Sequence, residues 1–201
     1  MRTIQKGREP RELTEYRQLP NSTYDAYRPK DELRKQLVAE QRGLCCYCMA
    51  TLGSDVKIEH WRPQREKHLQ LVYTNLLASC SGGEGRSRRF QHCDTHKADA
   101  DLCRNPADPA HNVGAIVWFE SDGRIRSSNL DFDSELNTVL NLNAEHLKQA
   151  RKAVLRTFLR LWRLRPKKEL RRQLERLRGD KGTAQLPEYC HVICRWLETR
   201  I

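Results

Sequence analysis

The sequence predicts an α+β protein, and three observations carry that class. Residues 44 to about 100 are rich in cysteine and histidine and hold short strand-like runs. Residues 113–126 read as strand, turn and strand. Helical periodicity occupies both flanks. At 201 residues the chain fits one domain with an appendage, or two small domains. It carries 37 Lys+Arg against 26 Asp+Glu, a net +11 that suggests a polyanionic partner. There is no run of about 18 apolar residues, and MRTIQKGREPRELTEYRQ lacks the apolar stretch of a secretory signal. A cytoplasmic protein without membrane contact is therefore expected. Eight cysteines in a reducing compartment favour metal ligation over a disulfide framework.

Residues 1–28 are polar and short of apolar anchors, which predicts an extended N-terminal arm. Pro29 opens a helix to about Gln41, with Leu33, Leu37 and Val38 on one face and Gly43 as its stop. Residues 113–119 predict a strand, Ser121-Asp122-Gly123 a turn and residues 124–126 the returning strand. Leu147, Val154, Phe158, Leu161 and Trp162 recur at helical steps, and Leu170, Leu174 and Leu177 resume the pattern after Pro166. Two amphipathic helices broken at that proline follow. Over residues 151–178 twelve Lys/Arg stand against Glu169 and Glu175, so +10 of the charge lies there. Such a face serves phosphate binding or partner docking. A Gly-Asp-Lys-Gly loop at 179–182 precedes a last helix from Pro187, with Tyr189, Val192, Ile193, Trp196 and Leu197 facing inward.

Cys45-x2-Cys48 directly follows a helix stop, and Cys80 and Cys93 flank a Gly/Ser/Arg-rich loop. Four thiolates brought together satisfy the tetrahedral, closed coordination of structural zinc. His92 or His96 could each replace a thiolate. Cys46 should point away, and core packing accounts for Cys103, Cys190 and Cys194. A redox dithiol shares the C-x-x-C spacing but leaves Cys80 and Cys93 unexplained.

Between the two halves lies Val56-Lys-Ile-Glu59-His60-Trp-Arg-Pro63, a short strand ended by proline. Adjacent side chains diverge in a strand, so one of Glu59 and His60 can hold a metal while the other addresses a nucleophile. Asn75 follows, and then Cys93-Asp94-Thr-His96-Lys97 adds an acid, an imidazole and a cation. Phosphodiester hydrolysis needs a base titrating near neutrality, a hard divalent cation and a group that aims the base. This set supplies all three. Arg86, Arg88 and Arg89, in the loop before Cys93, could track a nucleic-acid backbone.

In order, Cys-x2-Cys, Ile-Glu-His-x-x-Pro, Asn-Leu-Leu-x-x-Cys and Cys-Asp-x-x-Lys resemble the HNH endonuclease family with its ββα-metal fold. The opening Met-Arg-Thr-Ile-Gln-Lys-Gly-Arg-Glu-Pro, with Asn141-Leu142-Asn143, resembles more closely the HNH subunit (PtuB) of Septu-type antiphage defence systems, also found beside some retrons. The resemblance implies His60 as general base and Asn75 as the residue that positions it. It implies Glu59 as ligand of a catalytic Mg2+ or Mn2+, with either Asp94 or His96 as a further ligand. Asp94 stands where the family commonly has His or Asn. Lys97 matches a recurrent lysine and is expected at phosphate. The implied substrate is nucleic acid, DNA above RNA, and the implied partner is an ABC- or SMC-type ATPase subunit (PtuA-like). The expected organisation is an arm at 1–28, a zinc-stapled HNH nuclease domain at 29–130 with a β-hairpin, and a basic helical region at 131–201. The competing expectation is a zinc-stapled nucleic-acid-binding or scaffold module without chemistry.

Overall fold

Buried apolar side chains gather into two clusters, and the turn at 44–52 feeds both: Cys45, Cys46, Tyr47, Cys48 and Leu52 enter one, Leu44 and Met49 the other. The computed structural model describes residues 1–179 and 185–201. The loop expected at 179–182 therefore lies, beyond Gly179, outside the described residues. The architecture is α+β, with two separate two-stranded antiparallel sheets among helices. No helix among the described residues is long and apolar enough to cross a membrane.

The first cluster begins at the N-terminus. Met1, Ile4, Leu13, Tyr24 and Tyr27 are buried, and α1 (Arg11–Arg17) forms within this stretch. The expected extended arm is thus corrected. Its anchors are few and irregularly spaced, so no periodicity betrays them, yet each one is buried. Polar ties add to them: Ile4 N donates to Pro106 O at 2.8 Å, and the Lys6 ammonium pairs with Glu40 at 2.9 Å. Helix α2 (Lys30–Glu40) runs as expected after Pro29, with Leu33 and Leu37 buried and Gly43 at φ +77°. That left-handed conformation is where glycine carries no side-chain penalty.

Strand β1 (Lys57–His60) pairs antiparallel with β2 (Leu76–Ser79), setting Glu59 opposite Leu77 and His60 opposite Leu76. All four β2 residues are buried, so its second edge needs partners inside the protein. Gln41 supplies them. Its side chain accepts from Ala78 N at 2.7 Å and donates to Ala78 O at 2.7 Å, and Cys46 N also donates to that carbonyl. The Cys45–Cys48 turn is thereby laid along the strand that leads into Cys80.

Helix α3 (Cys93–Lys97) follows the long loop. Residues 113–116 form a helical turn, α4 (Val113–Ile116), instead of the expected first half of a strand. Asn112 in the left-handed region turns the chain into it, and Gly114 N bonds Thr3 Oγ1 at 3.2 Å. The hairpin is consequently shorter, β3 (Val117–Phe119) with β4 (Ile125–Ser127). Helix α5 (Leu130–Thr138) is capped by Asn129, whose side chain accepts from Phe132 N.

Helices α6 (Glu145–Trp162) and α7 (Lys167–Arg178) break at Pro166 as the sequence predicts. Their apolar stripe packs with α8 (Cys190–Glu198) in the second cluster. Two details differ from expectation. Leu161 is 58% exposed and joins neither buried cluster. Arg151 is buried instead of joining the basic face, and donates to the carbonyls of Leu147 in the first turn of α6 and of Leu142 ahead of it.

Replacing Gln41 by leucine keeps the volume but leaves Ala78 N without that acceptor. Urea unfolding should show a loss of about 1–3 kcal/mol, the cost of an unpaired buried donor. A change smaller than about 0.5 kcal/mol would contradict the role given to this side chain.

Candidate active site and metal centre

The four sulfurs of Cys45, Cys48, Cys80 and Cys93 all lie within 4.8 Å of one another. Cys45 Sγ is 3.8 Å from Cys93 Sγ, and Cys48 Sγ is 3.8 Å from Cys80 Sγ. Tetrahedral zinc with bonds of about 2.3 Å requires sulfurs about 3.8 Å apart. The donors therefore fit one zinc ion. Two backbone amides add support, Cys80 N to Cys45 Sγ at 3.4 Å and Ala50 N to Cys48 Sγ at 3.5 Å. Such outer bonds orient the ligands. His92 Nδ1 stands 3.2 Å from Cys93 Sγ, beside the sulfur group. Cys46 is not one of the four converging sulfurs, but its buried thiol lies against Cys45.

The loop between Cys80 and Cys93 is shaped for this closure. Gly82 adopts φ +57°, and a Cβ there would stand 2.1 Å from His92 O. His92 N donates to Gly82 O at 2.9 Å, which draws the ends of the loop together. Asn141 ties the loop to the α5–α6 turn, donating to Gln91 O at 2.7 Å and Arg89 O at 3.3 Å. Arg86, Arg88 and Arg89 are exposed on it.

Glu59, His60 and Asp94 line one open cavity of about 540 Å³. His60 is buried at its edge. The Tyr24 ring meets it edge-on with centroids 4.4 Å apart, and His60 Nε2 is 3.0 Å from Gln70 O. A carbonyl only accepts, so Nε2 carries the proton and the neutral ring keeps its lone pair on Nδ1. Burial lowers the His60 pKa to about 4, holding the ring neutral at physiological pH.

Asn75 does not touch the imidazole. Its Oδ1 accepts from Arg62 N at 2.7 Å, and its Nδ2 donates to Arg62 O and Leu69 O, both at 3.1 Å. The amide thus closes the loop that returns Gln70 to His60.

Glu59 is 2% exposed. Its Oε1 accepts from Tyr47 OH at 2.7 Å and pairs with Lys97 Nζ at 3.0 Å. Burial first, and then the Asp94 carboxyl beside it, raise the Glu59 pKa well above the usual carboxylate range; Lys97 and Tyr47 oppose the rise. Two carboxylates sharing a cavity form a donor set suited to a hard divalent cation, which would relieve their repulsion. Asp94 also faces Lys57 Nζ at 3.5 Å. His96 turns towards α5, its Nδ1 2.9 Å from Val139 O, and is not among the residues lining the cavity.

Lys97 is a correction. Expected at phosphate, it is buried, and its ammonium also donates to His60 O at 2.9 Å. It braces Glu59 and the His60 backbone together. The residues missed in the sequence are Tyr24, Tyr47 and Gln70. Tyr47 lies inside the C-x-x-C turn, where a phenol next to metal ligands was a usable signal. Tyr24 and Gln70 act through tertiary contacts that no spacing marks.

Metal analysis of the purified chain should find one zinc per molecule. Its removal by a strong chelator should lower Tm by several degrees; an unchanged Tm would contradict the tetrathiolate clamp. Lys97→Met strands a buried carboxylate and should cost about 3–5 kcal/mol in urea unfolding. A surface phosphate contact would change stability by less than about 0.5 kcal/mol.

No family model matches the chain. A protein of Escherichia coli described as "Retron Ec83 putative HNH endonuclease" is 27% identical over 207 residues, spanning 79% of this chain and 80% of that protein. The similarity covers most of both chains and supports the HNH endonuclease family, and with it a nuclease.

Proposed function

We propose that this chain is a metal-dependent HNH endonuclease that hydrolyses phosphodiester bonds, of DNA in the first instance. The observation that carries the proposal is the His60 imidazole, its Nε2 committed to Gln70 O, lining the same cavity as the carboxylates Glu59 and Asp94. The succession β1, β2, α3, with a four-sulfur group at its base, supports a ββα-metal core.

His60 Nδ1 accepts a proton from water as the water oxygen bonds to phosphorus and the bond to the leaving oxygen breaks. The imidazolium that forms keeps its Nε2–H on Gln70 O, so it needs no reorientation. Asn75 holds the loop that places this carbonyl. Glu59 and Asp94 would hold Mg2+ or Mn2+, whose charge neutralises the phosphate oxygens and the leaving group. Lys97 favours the ionised form of Glu59.

On this reading the chain is the effector of an antiphage complex with an ABC- or SMC-type ATPase, as in Septu-type systems. The corner between α6 and α7 supports a protein partner. Arg156, Arg160, Arg163 and Arg165 are exposed there beside Leu161 and Leu164, the latter 87% exposed. Exposed leucines among cations suit a protein surface better than a phosphate backbone.

His60→Ala should lower Mg2+- or Mn2+-dependent plasmid nicking by about 10²–10⁴-fold while the chain still folds and keeps its zinc. Undiminished nicking by the purified variant would contradict the assignment. Wild-type protein that binds DNA but nicks it with neither cation would favour the non-catalytic module.

A further inference from the structure

We propose that Arg34, on α2 and upstream of the cysteine- and histidine-rich segment, anchors the scissile phosphate in the Glu59–His60–Asp94 cavity. The proposal rests on the nuclease function above and names the group that receives the substrate's charge.

The charges lining the cavity create the need. Glu59, Glu84, Asp94 and Asp99 stand against Arg34 and Lys57. A phosphodiester entering this excess of carboxylates requires a cation besides the ion that Glu59 and Asp94 would hold. Lys57 is already committed, its ammonium lying 3.1 Å from Glu84 Oε1, 3.1 Å from Thr95 Oγ1 and 3.5 Å from Asp94 Oδ2. Lys97 is buried between Glu59 and His60 O.

Arg34 differs from both. Its Nη1 bonds Asp31, one turn back on the same helix, whose side chain is 86% exposed. Such a surface pair contributes little and exchanges readily. Its Nε is buried and has no hydrogen-bond partner. A buried donor without an acceptor calls for a ligand or a water. Nε and a terminal nitrogen form the planar fork that meets two phosphate oxygens at once. Arg34 also stands towards the base: its charge opposes the rise that burial imposes on the Tyr24 pKa, and Tyr24 packs edge-on against His60. The backbone is fixed, because Leu33 and Leu37 on either side are buried and α2 packs on β2.

The test uses the full chain and two probes. The first is the p-nitrophenyl ester of thymidine 5′-phosphate, which offers a single phosphodiester and no extended backbone. Arg34→Met should lower its Mn2+-dependent turnover by about 10²-fold, the usual cost of removing one charge-stabilising donor, and Arg34→Lys should recover part of it. Asp31→Ala should stay within about twofold, since it removes only the helix-surface pair. The second probe is a labelled DNA duplex titrated at several salt concentrations against the His60→Ala chain, with and without Arg34→Met. The added substitution should reduce the log–log salt slope by about one. An Arg34→Met enzyme that turns over the ester within twofold of wild type, with an unchanged salt slope, overturns the proposal. So does a loss of activity matched by Asp31→Ala, which would show only support of the helix. A wild-type chain that cleaves neither probe, yet shows the slope change, overturns the nuclease function while upholding the phosphate contact.

Discussion

Four thiols in van der Waals contact are the constraint on which the rest of the structure depends. They come from the turn after α2, the end of β2 and the start of α3, and the last of these lines the Glu59–His60–Asp94 cavity together with β1. A chain of this size with 38% apolar residues has little core to spare for fixing three such segments to within an ångström. A zinc ion bound by all four sulfurs would supply that fixation through bonds rather than burial. The glycine turn at Gly82 and the amide of Asn141 shape the intervening loop so that closure costs little strain.

Around this clamp the buried polar groups at the cavity are held by named partners. Lys97 and Tyr47 take one oxygen of Glu59, and Gln70 takes one nitrogen of His60. What remains is directional: a lone pair on Nδ1, a Glu59 carboxyl raised in pKa beside Asp94, and an arginine with a buried donor to offer. Buried polar groups of this kind are expensive for a fold and common where chemistry is done. The α6–α8 layer contributes none of these groups to the cavity. It packs instead on Leu44 and Met49, which flank the Cys45–Cys48 turn.

Legibility in the sequence followed the range of the interaction. The break at Pro166, the helix after Pro29 and the strand ending in Glu59-His60 rest on local periodicity and on proline, and each appears where the sequence predicts it. The four cysteines were legible because metal ligation restricts residue type as well as spacing. The N-terminal segment was not, since Met1, Ile4 and Leu13 show no period and gain their burial from partners far along the chain. Lys97 was misplaced because a motif position states which residue type is needed but not which way it points. The first half of the strand expected at 113–119 failed for a different reason. Apolar runs of that length suit either a strand or a helical turn, and Asn112 in the left-handed region decides for the turn.

The most direct measurement is anomalous diffraction from crystals of the intact chain grown with manganese, collected on both sides of the zinc and manganese edges. The account predicts a zinc peak centred among the four sulfurs and a manganese peak between the carboxylates of Glu59 and Asp94, facing His60 Nδ1. Manganese bound elsewhere, with Glu59 still on Lys97 and Tyr47 and Asp94 still on Lys57, would contradict it.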